Sequence, residues 1–141
     1  MSASKAMMRA VILTAIPIEY QAVCAHLKEL QEEIYRGTVY QRGIFLAGNQ
    51  LWNIAVVETG AGNTPAAVAT ERAISYFEPD LILFVGVAGG LKDVKIGDVV
   101  VATKVYSYSS GKATVAFETR PEVGQPTFYM EQRARAEAKK A

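Results

Sequence analysis

Two stretches of the chain, "AVILTAI" (10–16) and "LILFVGVA" (81–88), are apolar almost throughout. Runs of that kind fit strands covered on both faces within a parallel sheet. Pro17 suits the first position of a helix, and residues 18–30 repeat apolar side chains at helical spacing. "TVYQRGIFLAG" (38–48) and "LWNIAVVETG" (51–60) are strand-like pieces broken by glycine, which predicts a hairpin or meander along one side of the sheet. A second helix is expected over 65–77. Thr64 is its N-cap, Pro65 lies in its first turn, and Ala66, Ala69, Ala73 and Phe77 recur on one face. Further along, "GDVVVATKVYSY" (97–108) predicts another strand and 111–128 a loop-rich segment with one short strand. Residues 129–141 form a charged helix, and residues 1–8 are expected to be flexible.

Strand, helix, strand, helix, strand with buried central strands describes an α/β protein. The expected architecture is a three-layer αβα sandwich around a mixed, largely parallel sheet, with residues 1–141 forming a single domain. Sheets of this kind bind ligands beyond the carboxyl ends of their strands. Three segments converge there: Ala15–Glu19, Thr59–Thr64 and Gly86–Leu91.

Composition narrows the function without naming it. Of 141 residues half are hydrophobic, and 15 basic side chains nearly balance 14 acidic ones. That balance asks for neither a nucleic-acid surface nor a membrane-binding face. One cysteine, Cys24, excludes an internal disulfide framework and suits a reducing, cytoplasmic setting. The apolar run after Lys5 and Arg9 is short for a signal peptide and lacks a small-residue cleavage pattern. No stretch approaches the length of a membrane-spanning helix.

Glu19 is the most informative single residue. It shares a helical stripe with Tyr20, Val23, Leu27 and Leu30, the face that meets the sheet. Two readings stay open from the pattern alone: a first-turn acid complementing the helix dipole, and a functional carboxylate. "TGAG" (59–62) and "GVAGG" (86–90) let backbone approach a ligand closely, although either could be an ordinary tight turn. "GAGNTP" is not a dinucleotide fingerprint, because it follows the wrong strand and Pro65 replaces its third glycine. Cys24 reads as a packing residue and His26 as a structural one, with no second cysteine or histidine to build a metal site or a catalytic pair. No serine sits in a G-x-S-x-G elbow, and the basic tail "RARAEAKK" reads as a solvated helix face.

Three segments together, "TAIPIEYQAV" (14–23), "VETGAGNTPAAVAT" (57–70) and "PDLILFVGVAGGLKDVKIGDVVVAT" (79–103), resemble the purine nucleoside phosphorylase and methylthioadenosine/S-adenosylhomocysteine nucleosidase superfamily. The likeness runs from Arg9 to Phe117. It implies cleavage of the N-glycosidic bond of an adenosine-like nucleoside by water, without cofactor or metal, in a homodimer or larger homo-oligomer. Glu19 falls where the nucleosidase branch carries the glutamate that activates water. Thr59, Gly60, Val87, Ala88 and Gly89 fall where the family lines the sugar and base.

The resemblance also carries departures. The phosphorylase branch has a glycine-rich loop with a phosphate-binding arginine where "IPIEYQ" (16–21) stands here, and a second arginine at the position of Phe84. Without these, water is favoured over phosphate as the attacking group. The family commonly has serine or threonine at the position of Val87, so a hydroxyl contact is missing. Its second half supplies a Met-Glu pair for the ribose and an aspartate that protonates the purine, and nothing after Phe117 matches either. The chain therefore reads as the N-terminal part of such a domain, inactive alone. Two other readings remain: a phosphorylase with an unrecognised anion site, and a catalytically silent nucleoside-binding or dimerisation module.

Overall fold

The structure, a computed structural model, describes residues 7–107, 111–113, 117–119 and 123–140. The chain forms two compact units, Met1–Gly89 and Gly90–Ala141. Of the segment expected to be flexible, residues 1–6 lie outside the described ones, whereas Met8 already begins the first strand.

The first unit is a five-stranded sheet whose strands lie, from edge to edge, in the order Lys28–Tyr35, Thr38–Ala47, Gln50–Glu58, Met8–Thr14, Leu81–Phe84. Strands β1 (Met8–Thr14), β4 (Gln50–Glu58) and β5 (Leu81–Phe84) are parallel, and β1 and β5 are neighbours as their apolar runs predict. Strand β5 is, however, an edge strand, half-buried rather than covered on both faces. Strands β2 (Lys28–Tyr35) and β3 (Thr38–Ala47) continue the sheet as an antiparallel meander on the β4 side. Helix α1 (Pro17–Cys24) lies over Ala10, Ile54 and Val56 through Tyr20, Val23 and Cys24. Helix α2 (Asn63–Phe77) covers the opposite face, with Ala69 and Ala73 buried against Val11, Leu13, Tyr40, Ala55 and Val57. The result is the expected α/β/α layering around a mixed sheet. Small side chains at Ala69 and Ala73 let the helix come close to the strands.

Three sequence expectations need correction. The helix predicted over 18–30 ends at Cys24, and Lys28–Tyr35 is the edge strand β2. Arg36 and Gly37 both take positive φ (48° and 77°) in the two-residue connection to β3, the backbone signature of a tight antiparallel hairpin. Leu27 and Leu30 do reach the α1 side of the sheet, but across an irregularity in β2 pairing between Lys28 and Gln31. There they fill the space over Gly43, where an added Cβ would lie 2.9 Å from Leu27 Cβ and 3.0 Å from Leu30 Cδ2.

The second correction concerns α2. It starts at Asn63 with Gly62 (φ 109°) as its N-cap, so Thr64 is inside the first turn. Third, the strand predicted over 81–88 stops at Phe84, and that predicted over 97–108 is reduced to β6 (Val105–Tyr106). Strand-forming side chains need a partner backbone. Val99, Val100 and Val101 find none among the described residues and stay exposed.

In the second unit β6 pairs with β9 (Val123–Gly124), and β7 (Gly111–Ala113) with β8 (Phe117–Thr119), both antiparallel. Helix α3 (Phe128–Ala138) has no buried residue. Its exposed face carries the i,i+4 pairs Glu131–Arg135 and Arg133–Glu137. Among the described residues, no helix is long and apolar enough to cross a membrane.

Candidate active site

Strand β1 ends at Thr14, which is fully buried and donates its hydroxyl to the Val57 carbonyl at 3.2 Å. The Thr14 carbonyl in turn accepts the Thr59 amide at 2.8 Å. This cross-link holds the exits of β1 and β4 side by side. Helix α1 begins three residues later with Pro17 at its first position, leaving Ala15 and Ile16 amides without helical acceptors.

Glu19 answers both. Its Oε2 accepts the Ala15 amide at 2.8 Å and the Ile16 amide at 3.1 Å, so the third helical residue reaches back to the N-cap as in one half of a capping box. Its Oε1 accepts a third amide, that of Val87, at 2.8 Å from 68 residues further along the chain. The carboxylate is buried, with Glu19 8% exposed. The Val87 amide first, then the Ala15 amide, with Ile16 adding to them, hold its pKa below the ordinary glutamate value against the opposing effect of burial. Glu19 is therefore ionised at neutral pH. A carboxylate has roughly four acceptor sites. Three are taken, two on Oε2 and one on Oε1, so one remains on Oε1.

The same contact explains Gly86. A Cβ at that position would lie 2.7 Å from Glu19 Oε1 and 2.9 Å from its Cδ. The glycine is needed by the carboxylate, a reason the sequence alone did not reveal. It also accounts for the early end of β5. Val85 still donates to the Leu13 carbonyl at 2.9 Å, but the Val87 amide turns to Glu19 instead of continuing a ladder.

The other residues expected at the site fall on two sides of Glu19. Val87, Ala88 and Gly89 are exposed just beyond β5, with Val87 77% exposed. Thr59 and Gly60 follow β4, where Gly60 takes φ 77° and the Thr59 hydroxyl lies 2.9 Å from the Gly60 carbonyl. Thr59 also lines a cleft of about 560 Å³ over the end of β4, together with Tyr20, Thr38, Glu58, Pro65 and Arg72. None of those five stands out in the sequence as a site residue. Arg72 directly precedes the buried Ala73 on α2, but its meeting with Thr38, 34 residues away, leaves no local signal in the sequence.

Cys24 packs against the core cluster under α1, as expected, and burial pushes its thiol pKa up. It is protonated at neutral pH and is no nucleophile. His26 is exposed. Among the described residues no group of three or more His, Cys, Asp or Glu side chains could hold a metal ion.

A three-layer fold with a buried carboxylate and two glycine turns at the carboxyl ends of its parallel strands defines a nucleoside phosphorylase-like α/β protein. The chain belongs to the Phosphorylase superfamily, whose family description matches residues 9–141. It is 26% identical over 124 residues to a 5′-methylthioadenosine/S-adenosylhomocysteine nucleosidase of Chromohalobacter salexigens, covering 87% of this chain and 51% of that protein. A protein of the same description from Shewanella loihica is 28% identical over 130 residues, covering 92% and 55%. The chain thus spans about half the length of these curated relatives. The crystal structure of the Helicobacter pylori 5′-methylthioadenosine/S-adenosyl homocysteine nucleosidase superposes with a TM-score of 0.80 over 96% of this chain and 60% of that one. At 22% identity that likeness is one of fold.

Proposed function

We propose that the protein of which this chain forms part hydrolyses the N-glycosidic bond of an adenosine-like nucleoside, such as methylthioadenosine or S-adenosylhomocysteine. The observation that carries the reading is Glu19: an ionised, buried carboxylate fixed by three amides with one acceptor site left on Oε1. Its place at the carboxyl end of the sheet and the names of the relatives support the same reaction.

In this mechanism the bond from the sugar's anomeric carbon to the base breaks with its electrons going to the base. The sugar passes through an oxocarbenium-like state that water attacks, and Oε1 of Glu19 takes the proton that water loses. The departing base gains a proton on its ring nitrogen, which the resemblance assigns to an aspartate of the family's second half. The three amides keep the carboxylate oriented through the step, so no reorganisation is needed as charge moves. Backbone around Val87, Ala88, Gly89, Thr59 and Gly60 lines the sugar and base, where the absence of bulky side chains at the glycines allows close approach. Phe84, exposed at the end of β5, offers phosphate no charge, which favours water as the acceptor. Association into a homodimer or larger homo-oligomer belongs to this reading, supported by the apolar side chains Leu91, Ile96 and Val99 exposed on the second unit.

The test is adenine release by the full protein from both nucleosides, with and without phosphate. Release that does not depend on phosphate is expected. Strict dependence on phosphate would indicate a phosphorylase, and nucleoside binding without turnover would indicate a silent binding module.

A further inference from the structure

Thr14 puts a hydroxyl where the apolar run of β1 calls for a valine of the same shape. It closes the strand after Val11, Ile12 and Leu13 and is fully buried. Burying a hydroxyl is unfavourable unless it finds a hydrogen-bond partner. Thr14 Oγ1 has one, donating to the Val57 carbonyl at 3.2 Å. The bond ties the end of β1 to β4, where Thr14 stands opposite Glu58.

The main chain of the same residue leads to Glu19. The Thr14 carbonyl accepts the Thr59 amide at 2.8 Å, and the Thr59 hydroxyl stands 3.2 Å from the same oxygen. That carbonyl and the Ala15 N–H belong to one peptide unit, which is planar and trans. Its two polar ends point opposite ways, so fixing the carbonyl on β4 fixes the direction of the N–H. The Ala15 N–H meets Glu19 Oε2 at 2.8 Å. Hydrogen bonds linked in this way also polarise one another, which strengthens the donor that the carboxylate receives. Thr14 thus grips β4 twice, through side chain and carbonyl, where the chain turns toward Glu19.

Resting on the nucleosidase reading above, we propose that Thr14 is a positioning residue for the reaction. Its hydroxyl, held on the Val57 carbonyl, sets the Thr14–Ala15 peptide that aims Glu19 at the attacking water. Fully buried, Thr14 touches neither that water nor the nucleoside, and acts only through the orientation of the carboxylate.

The experiment measures adenine release from methylthioadenosine and S-adenosylhomocysteine by the full protein and its Thr14→Val and Thr14→Ser variants. Rates are taken across pH at a temperature where each protein is folded. Thr14→Val keeps the shape, removes the hydroxyl, and is expected to lower kcat about tenfold with KM held within about twofold. The acid limb of its kcat profile should move to higher pH, because the Ala15 amide helps to hold the Glu19 pKa down. Thr14→Ser restores the hydroxyl and should bring both back toward the unaltered protein. If Thr14→Val does not fold, Thr14→Ala decides in its place, since it sets no methyl group against the Val57 carbonyl. An unmoved kcat and pH profile without the hydroxyl overturn the proposal and leave the nucleosidase reading standing. A loss carried by KM alone, or one that Thr14→Ser fails to restore, overturns it equally. Release of adenine from neither nucleoside by the unaltered protein overturns the nucleosidase reading, and this proposal with it.

Discussion

Glu19 and Val87 lie 68 residues apart in the chain, yet the amide of one meets the carboxylate of the other at 2.8 Å. That bond ties the first turn of α1 to the chain leaving β5. The two amides of Ala15 and Ile16 fix the other oxygen, so the group has no freedom to rotate without losing a partner.

Gly86→Ala tests how tightly that arrangement is packed. The new methyl would sit 2.7 Å from Oε1, against a carboxylate that cannot yield. Overpacking of this kind typically costs about 1–3 kcal/mol. Gly89→Ala is the control, since nothing lies within 4 Å of a Cβ there. It should change stability by less than about 0.5 kcal/mol. Urea unfolding of both variants measures the difference, and equal midpoints would show that the strand end relaxes freely.

Much of this arrangement was readable in the sequence, and its limits have physical causes. Strands β1, β4 and β5 and helix α2 announce themselves through apolar runs and the Ala69–Ala73–Phe77 spacing. Strand β2 does not. Leu27 and Leu30 extend the three- and four-residue spacing of α1, and only the tight turn at Arg36–Gly37 and the space over Gly43 make that stretch a strand. The position of Glu19 on a sheet-facing stripe was visible, but its third amide was not. No local pattern tells a strand to stop at Phe84 because a distant carboxylate needs the Val87 amide. The cleft charges at Glu58 and Arg72 escaped for a similar reason, since a β4 end and an α2 turn meet only in the folded sheet.

The close approach of α2 to the sheet yields a second stability prediction. Ala73 is fully buried, among Val11, Leu13, Tyr40 and Val57. Ala73→Leu forces three extra carbons between helix and strands and should destabilise the first unit by about 1–3 kcal/mol. The exposed neighbour Ile74 provides a contrast: Ile74→Ala should cost less than about 0.5 kcal/mol. Thermal unfolding of the two variants gives the comparison, and a smaller loss for Ala73→Leu than for Ile74→Ala would contradict the packing described.

Glu19→Gln separates a chemical role from a structural one. As the general base, Glu19 should be worth about 10²–10⁴-fold in kcat, with nucleoside affinity largely kept. The amide also has a structural effect, because one of its two ends is a donor and must face an amide N–H at either Val87 or the Ala15–Ile16 pair. Some loss of melting temperature is therefore expected in any case. Kinetics at a temperature where both proteins are folded isolates the chemistry. Unimpaired turnover there would leave Glu19 as a structural fastening only.

The pH dependence of that fastening has a definite sign. Glu19 is pulled below its ordinary value of 4.5 by the Val87 amide, then by those of Ala15 and Ile16, with burial opposing. In the unfolded chain none of those bonds exists, and the carboxyl titrates at its ordinary value. The unfolded state thus binds the proton more readily than the folded state. Its contribution to stability is fully present above the unfolded value and is lost as pH falls through the folded one. Glu19→Gln cannot titrate, so the variant shows no such term. The melting-temperature gap between the two proteins should be widest and level from about pH 6 to 7. It should narrow steadily below about pH 5, as the carboxylate's advantage disappears. Thermal unfolding of both proteins across that range, at constant ionic strength, measures the gap directly. A gap that stays constant down to the acid limit of folding would mean that protonating Glu19 breaks nothing, and that the three amides are not held by its charge.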